Sequence, residues 1–247
     1  MNQASGFLGG LIGGIIAGYL VVLLKKIPMP AALRSLLPTL IIPLLGVAAM
    51  GLIMVYVIGG PIAAVTNALT DMLNSLGTGN LVLLGIIQGC MLAFDMGGPC
   101  NKVAYAFALA AMDTGNYLVM GANFVGSITP PLGIALAILF KKSRFTKAER
   151  GSLAGLFAGA VGMITEFAIP FAASDPIKVI PSLMAGSAVG CTLSYLLGLT
   201  IQAPHGGLFV MFAMNSPLNF ILASVVGALV TAAILVALKK DAVEEEE

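Results

Sequence analysis

Four short stretches of this sequence hold charged or titratable side chains inside long apolar surroundings. They are Asp95-Met-Gly-Gly-Pro-Cys-Asn-Lys102, Gly162-Met-Ile-Thr-Glu-Phe-Ala-Ile-Pro170, Ser174-Asp-Pro-Ile-Lys178 and Gln202-Ala-Pro-His-Gly-Gly207. A charge at the centre of a bilayer costs a few kcal/mol or more, so such residues usually serve a function. In the first stretch, two glycines and a proline stop a helix and free backbone groups, tolerable at membrane depth only where they line a cavity or pack in protein. Asp95 and Lys102 are close enough to neutralise each other across that break. The pair reads either as a clamp holding a re-entrant hairpin or as part of a polar substrate site. Asn101 offers a donor and an acceptor, which suits sugar hydroxyls. Glu166 has no basic residue within the eight positions before it, and a lone buried carboxylate either takes up a proton or finds a partner. It reads as an acceptor for substrate hydroxyls, as a proton relay, or as a hydrogen-bonded structural acid.

The other two stretches divide. Asp175 before Pro176 is a good helix start, with Asp175 as N-cap, Pro176 at the first helical position and Lys178 as an interfacial anchor. His205, the single histidine, lies between a proline and a Gly-Gly pair that expose backbone, and reads as a site residue. No Ser and Asp near it make a hydrolase triad. Cys90, Cys100 and Cys191 have neither CxxC nor metal spacing and read as small buried hydrophobes. No metal site and no cofactor is expected.

The elements that must position these groups are set by hydropathy. Only 9% of the 247 residues are charged, whereas a soluble domain carries about 25%. Uncharged runs span 1–24, 35–70, 72–94, 114–140 and 179–238, and about 20 apolar residues of helix cross a bilayer. The expected fold is all-α: a polytopic transmembrane helical protein with re-entrant, Gly/Pro-broken hairpins. Residues 1–240 form one membrane domain, and the acidic residues 241–247 form a solvated tail. A net charge of +1 without a long basic stretch excludes a nucleic-acid partner.

Basic residues collect at 25–34, at 141–150 and at Lys239-Lys240, so these loops and the C-terminus are expected on the cytoplasmic side. Segments 6–24, 37–59, 118–140 and 217–238 then read as simple spans. The stretch 81–112 must start and end outside, and 151–216 must start inside and end outside. Gly/Pro-broken hydrophobic segments of this kind point to a transporter's binding site. Gly6, Gly10, Gly14 and Gly18 form a smooth face for close helix packing, within the chain or between subunits. Residues 61–77 carry Ile62, Val65, Leu69, Met72 and Leu76 on one face and read as an amphipathic helix along the outer interface.

Taken together, Asp95–Lys102, Ile164-Thr-Glu-Phe-Ala-Ile-Pro-Phe171 with Ser174-Asp-Pro176, Val179-Ile-Pro-Ser182 and Ala203-Pro-His-Gly-Gly207 resemble the membrane subunit, enzyme IIC, of the fructose branch of the bacterial phosphoenolpyruvate-dependent sugar phosphotransferase system. The resemblance covers essentially the whole chain. It implies a homodimeric permease of the bacterial inner membrane that translocates fructose or a similar hexose. A phosphocysteine on a partner IIB subunit, itself charged by IIA, would phosphorylate the sugar. Carried over by motif, Glu166 with the adjacent Thr165 would bind sugar hydroxyls, and Glu166 would also assist deprotonation of the reacting one. Asp95, Asn101, Lys102 and His205 are the next sugar-binding candidates. Such subunits usually carry further spans ahead of the segment matching Gly6, so a split subunit, a truncated product or a divergent relative is also expected. Two other readings stay open: an ion-coupled transporter with Glu166, Asp95 and Lys102 relaying protons, and a non-transporting partner.

Overall fold

A computed structural model describes residues 6–30, 35–61, 64, 80–113 and 115–242. The chain divides into two compact units, Met1–Met72 and Leu73–Glu247. The expected interfacial helix at 61–77 lies outside the described residues, apart from Pro61 and Ala64, and so do residues 243–247 of the tail.

The first unit pairs α1 (Gly6–Leu24) with α2 (Leu37–Pro61). Prolines at 38 and 43 and two π-helical turns, Leu37–Ile41 and Met54–Ile58, interrupt the regular ladder of α2. The glycine that α2 packs against is Gly13: a Cβ there would lie 3.3 Å from the Met54 sulfur. Gly14 and Gly18, members of the expected packing stripe, face open space. The apolar cavity between the two helices, near Met50 and Met54, carries no polar side chain to hold a hydrophilic ligand.

The second unit is built around α5 (Leu118–Phe140), the most enclosed of the long apolar helices. A helical hairpin, α3 (Leu81–Phe94) and α4 (Pro99–Asp113), precedes it. After it come α6 (Lys147–Gly151), α7 (Leu153–Gly162), α8 (Ile169–Ser174), α9 (Pro176–Leu196) and α10 (Pro217–Leu238). Short 3₁₀ turns fill Thr165–Ala168 and Gly207–Ala213. Among the described residues there is no strand, only an isolated bridge between Ile201 and Met214. The fold is all-α, and four described helices, α2, α5, α9 and α10, are long and apolar enough to cross a membrane. The stretch 81–112 is two helices joined by a break at 95–98.

Small residues let the helices touch. At the α9–α10 crossing, a Cβ on Gly227 would come within 2.8 Å of the Gly186 carbonyl, so only glycine permits that approach. Pro130 and Pro131 break the ladder of α5, and Pro130 removes the amide that would serve the Gly126 carbonyl. Ser187 of α9 supplies the missing donor, its Oγ 3.1 Å from Gly126 O. Gln88 of α3 donates to Val119 O (3.2 Å) and accepts from the Tyr195 hydroxyl (2.5 Å), so this buried amide is satisfied by two other helices, α5 and α9.

The ends of α5 and α10 meet in a polar clasp. Lys239 Nζ lies 2.8 Å from Glu149 Oε1 and 4.6 Å from the centre of the Phe145 ring. Arg144 donates to the Lys239 carbonyl, and Ser143 donates to Asp241 at 2.7 Å. The first residues of the expected free tail are therefore held, with Ala242 N bonded to Ser143 O at 2.8 Å. Asp175 does stand at the N-cap of α9, but its side chain makes no capping bond; it pairs with Lys178 at 2.8 Å instead.

Candidate functional site

The first wall of the site is the α3–α4 break. Met96 (φ +44°) and Gly97 (φ +102°) reverse the chain within two residues. This turn brings the Asp95 carboxylate back over the start of α4, where Oδ2 accepts from Cys100 N (2.6 Å) and Oδ1 from Asn101 N (2.9 Å). An anion receiving two unpaired amides at a helix N-terminus is a strong cap. Asp95 therefore serves its own hairpin and does not line the cavity. The expected Asp95–Lys102 neutralisation is not what forms. Asn101 is buried and donates Nδ2 to Leu92 O at 2.6 Å, tying α4 to the last turn of α3.

The second wall follows α7. That helix ends at Met163, in the left-handed region (φ +62°), and Ile164 N returns to Gly159 O at 2.8 Å. The chain then tightens into the 3₁₀ turn Thr165–Ala168, which carries Glu166. Phe167 seats this turn: its ring lies on Gly155 and Gly159, and a Cβ on Gly159 would fall 2.7 Å from Phe167 Cδ2. Glu166 is not alone, as the sequence suggested. Lys102 Nζ stands 3.5 Å from its Oε1, and Thr165 Oγ1 lies 3.4 Å from its Oε2. The pair is 34% and 44% exposed, so water screens the attraction between its members.

The third wall is the loop before Gly207–Ala213. Gly206 (φ +130°) and Gly207 (φ +58°) lay this loop on the end of α7, where a Cβ on Gly207 would reach 2.9 Å from Met163 N. Tyr105 holds the loop from the other side. Its hydroxyl donates to Pro204 O at 3.0 Å, and its ring meets His205 edge to face, 6.3 Å between centres.

These walls enclose a cavity of about 150 Å³ lined by Asn101, Lys102 and Tyr105 of α4, Ser127 of α5, Met163 to Glu166, and His205. Five of the six residues expected to bind substrate, Asn101, Lys102, Thr165, Glu166 and His205, border one space; Asp95 stands behind it. Sequence reasoning missed Tyr105 and Ser127. Tyr105 lies one helical turn after Asn101, and that i, i+4 spacing was the available signal. Ser127 sits three residues before Pro130, in a run that reads as a plain span. Beyond Glu166 the surface opens into a second, mostly apolar groove past Phe167 and Pro170, so the carboxylate stands between an enclosed chamber and an open one.

A carboxylate, an ammonium group, hydroxyls and an imidazole around a small space can donate to and accept from several hydroxyls of one ligand. Tyr105→Phe is expected to weaken ligand affinity about fivefold while the protein stays folded, because one hydrogen bond worth about 1 kcal/mol holds the His205 loop. Titration calorimetry of the purified variant checks this, and an unchanged affinity would remove Tyr105 from the positioning of His205.

The family described as "Phosphotransferase system, EIIC" matches residues 2–186. The "Fructose permease IIC component" of Bacillus amyloliquefaciens is 51% identical over 245 residues, 98% of this chain and 80% of that protein. The "PTS system fructose-specific EIIABC component" of Bacillus subtilis (strain 168) is 49% identical over 98% of this chain, which spans 38% of that longer protein. The "Fructose-like permease IIC component 2" of Escherichia coli (strain K12) is 47% identical over 95% of this chain and 66% of its own length. No solved structure gives a significant match. With its broken helices, its polar chamber and relatives matching almost from end to end, the chain belongs to the EIIC family of the phosphotransferase system, integral proteins of the inner membrane.

Proposed function

We propose that this chain is the sugar-binding membrane subunit of a phosphotransferase complex, carrying fructose or a fructose-like hexose across the bacterial inner membrane as a partner IIB subunit phosphorylates it. The observation that carries the reading is the Lys102–Glu166 pair, facing Thr165 and His205 across one small chamber in a chain of this family. Glu166 accepts hydrogen bonds from sugar hydroxyls, and a charged acceptor makes these stronger than neutral ones. Lys102 donates to the hydroxyl oxygens, and Asn101, Thr165 and His205 complete the set. A carboxylate beside the reacting hydroxyl also draws off its proton as the phosphoryl group arrives.

The donor sits on IIB, in keeping with relatives named as EIIABC and EIIB'BC components, in which the parts are fused. IIA charges IIB in turn. The basic loops at 25–34 and 141–150 and the C-terminus face the cytoplasm, where these partners work. Residues 1–240 act as one membrane domain, with 241–247 at its cytoplasmic end. The chain functions as a homodimer in the lipid bilayer, and the open glycine face of α1 at Gly14 and Gly18 is suited to such a contact.

Proteoliposomes holding the full chain test this. With phosphoenolpyruvate, the general phosphocarriers, IIA and IIB inside, external labelled fructose is expected to appear inside as fructose phosphate, and omission of IIB should stop it. Uptake of unmodified sugar that ignores IIB and collapses with an uncoupler would overturn the reading in favour of ion coupling.

A further inference from the structure

α5 carries a polar side chain that neither the chamber nor the helix packing uses. Asn123 is fully buried, and among the described residues neither its amide nitrogen nor its amide oxygen has a hydrogen-bond partner. Leaving both ends of a buried amide unpaired is costly to a fold. The neighbouring buried amides do not share this condition: Gln88 bonds to Val119 and Tyr195, and Asn101 bonds to Leu92. The hydroxyls of Ser194, Ser224 and Thr231 are also unpaired, but a helical hydroxyl can turn onto the carbonyl four residues back. An asparagine amide has no comparable turn that serves both its ends.

The position of Asn123 on α5 points to its use. Asn123 and Ser127 are one turn apart, about 40° around the helix and about 6 Å along it, so they share a face. Ser127 lines the chamber. The side of α5 that meets α9 is occupied by other contacts, with Cys191 Sγ on Ala122 O (3.2 Å) and Ser187 Oγ on Gly126 O (3.1 Å). Helix periodicity places Asn123 about 100° around α5 from Ala122, on the Ser127 side. It lies one turn nearer the α4–α5 connection, the end that charge patterning assigns to the outside.

We propose that Asn123 is a further sugar contact, an amide kept unpaired in the empty protein to receive and donate one hydrogen bond each to neighbouring hydroxyls of the ligand at the outer end of the chamber. This rests on the sugar-binding reading above. A primary amide matches a vicinal diol, accepting from one hydroxyl and donating to the other. Its burial strengthens both bonds, since no water competes for them.

The test separates the two readings. Fructose binding and thermal unfolding are measured on the purified full chain as wild type, Asn123→Leu and Asn123→Ala. Asn123→Leu keeps the branched outline and removes the unpaired amide, so its melting temperature is expected to rise while fructose affinity falls about tenfold or more. Should the leucine variant not fold, the alanine variant carries the same expectation for affinity. A set of single deoxyfructoses adds a readout that a structural role would not move: the sugar lacking the contacted hydroxyl binds wild type weakly, and Asn123→Ala makes no distinction between it and fructose. Fructose affinity unchanged in the variants, with wild type still binding, overturns the Asn123 contact and leaves the chamber reading intact. A folded wild type that binds no sugar overturns both.

Discussion

Glu166→Gln is expected to leave the protein folded and to weaken sugar binding about 100-fold, with phosphorylation-coupled uptake falling below detection. The magnitude follows from the charge. A hydroxyl bonded to a charged acceptor is worth about 1.5–3 kcal/mol and to a neutral one about 1 kcal/mol, and a carboxylate with two oxygens can hold two hydroxyls. Glutamine keeps the shape but replaces one acceptor oxygen with a donor, which opposes a sugar hydroxyl donating at that point. It also leaves Lys102, now 3.5 Å from Oε1, facing a neutral amide. Folding should survive because Glu166 is 44% exposed and its turn is fixed by its neighbour, Phe167 on Gly155 and Gly159. The measurements are equilibrium binding of labelled fructose in detergent and an unfolding curve of the same sample. Lys102→Met is the companion variant. If Glu166 acts only as its counter-ion, the two single variants and the double variant should all bind sugar like wild type, and the assignment of Glu166 to the ligand would then be lost.

The residues around this carboxylate differ in how readable they were from the chain alone, and the reason is the range of the interactions that fix them. Glu166, Thr165, Asn101, Lys102 and His205 stand beside glycines and prolines in an otherwise apolar chain. Those breaks announce backbone that leaves the helix, and a polar group at such a break has little other reason to be there. The partnerships are another matter. Asp95 and Lys102 look like an ion pair by spacing, but the positive φ values at Met96 and Gly97 turn Asp95 onto the amides of Cys100 and Asn101. Lys102 is thereby left to meet the carboxylate on the turn after α7. Tyr105, Ser127 and Asn123 lie in regular helix, where nothing local separates a site-facing residue from a buried one. The Glu149–Lys239 pair likewise joins α6 to the residue after α10, which only the packing of α5 beside α10 brings together. Which glycine of α1 meets α2 was unreadable for a similar reason. A stripe at intervals of four shows that a face is smooth, whereas contact with Met54 at Gly13 depends on where α2 lies.

Gly97→Ala should strike the Glu166 carboxylate directly, and one added methyl group acts there in two ways. At φ +102° an L side chain is strained, which costs about 1–3 kcal/mol of stability wherever it occurs. The same Cβ would fall on the Glu166 carboxylate, 2.5 Å from its Cδ, so the side chain must move away from Lys102 and out of the chamber. Sugar affinity is therefore expected to drop about tenfold or more, as when one charge-assisted contact is lost. Gly115→Ala separates the two effects: Gly115 has φ +84°, and a Cβ there meets nothing within 4 Å. That variant should melt lower by a similar amount and bind fructose like wild type. If Gly97→Ala also binds like wild type, the Glu166 carboxylate can shift by the width of a methyl group without consequence, which a group holding sugar hydroxyls at hydrogen-bond distance could not do. The close approach of the α3–α4 break to the Thr165–Ala168 turn at Gly97 would then serve only to close the packing. If affinity falls in Gly97→Ala and not in Gly115→Ala, glycine is required at this position to let the α3–α4 break press against the turn that carries the sugar ligand.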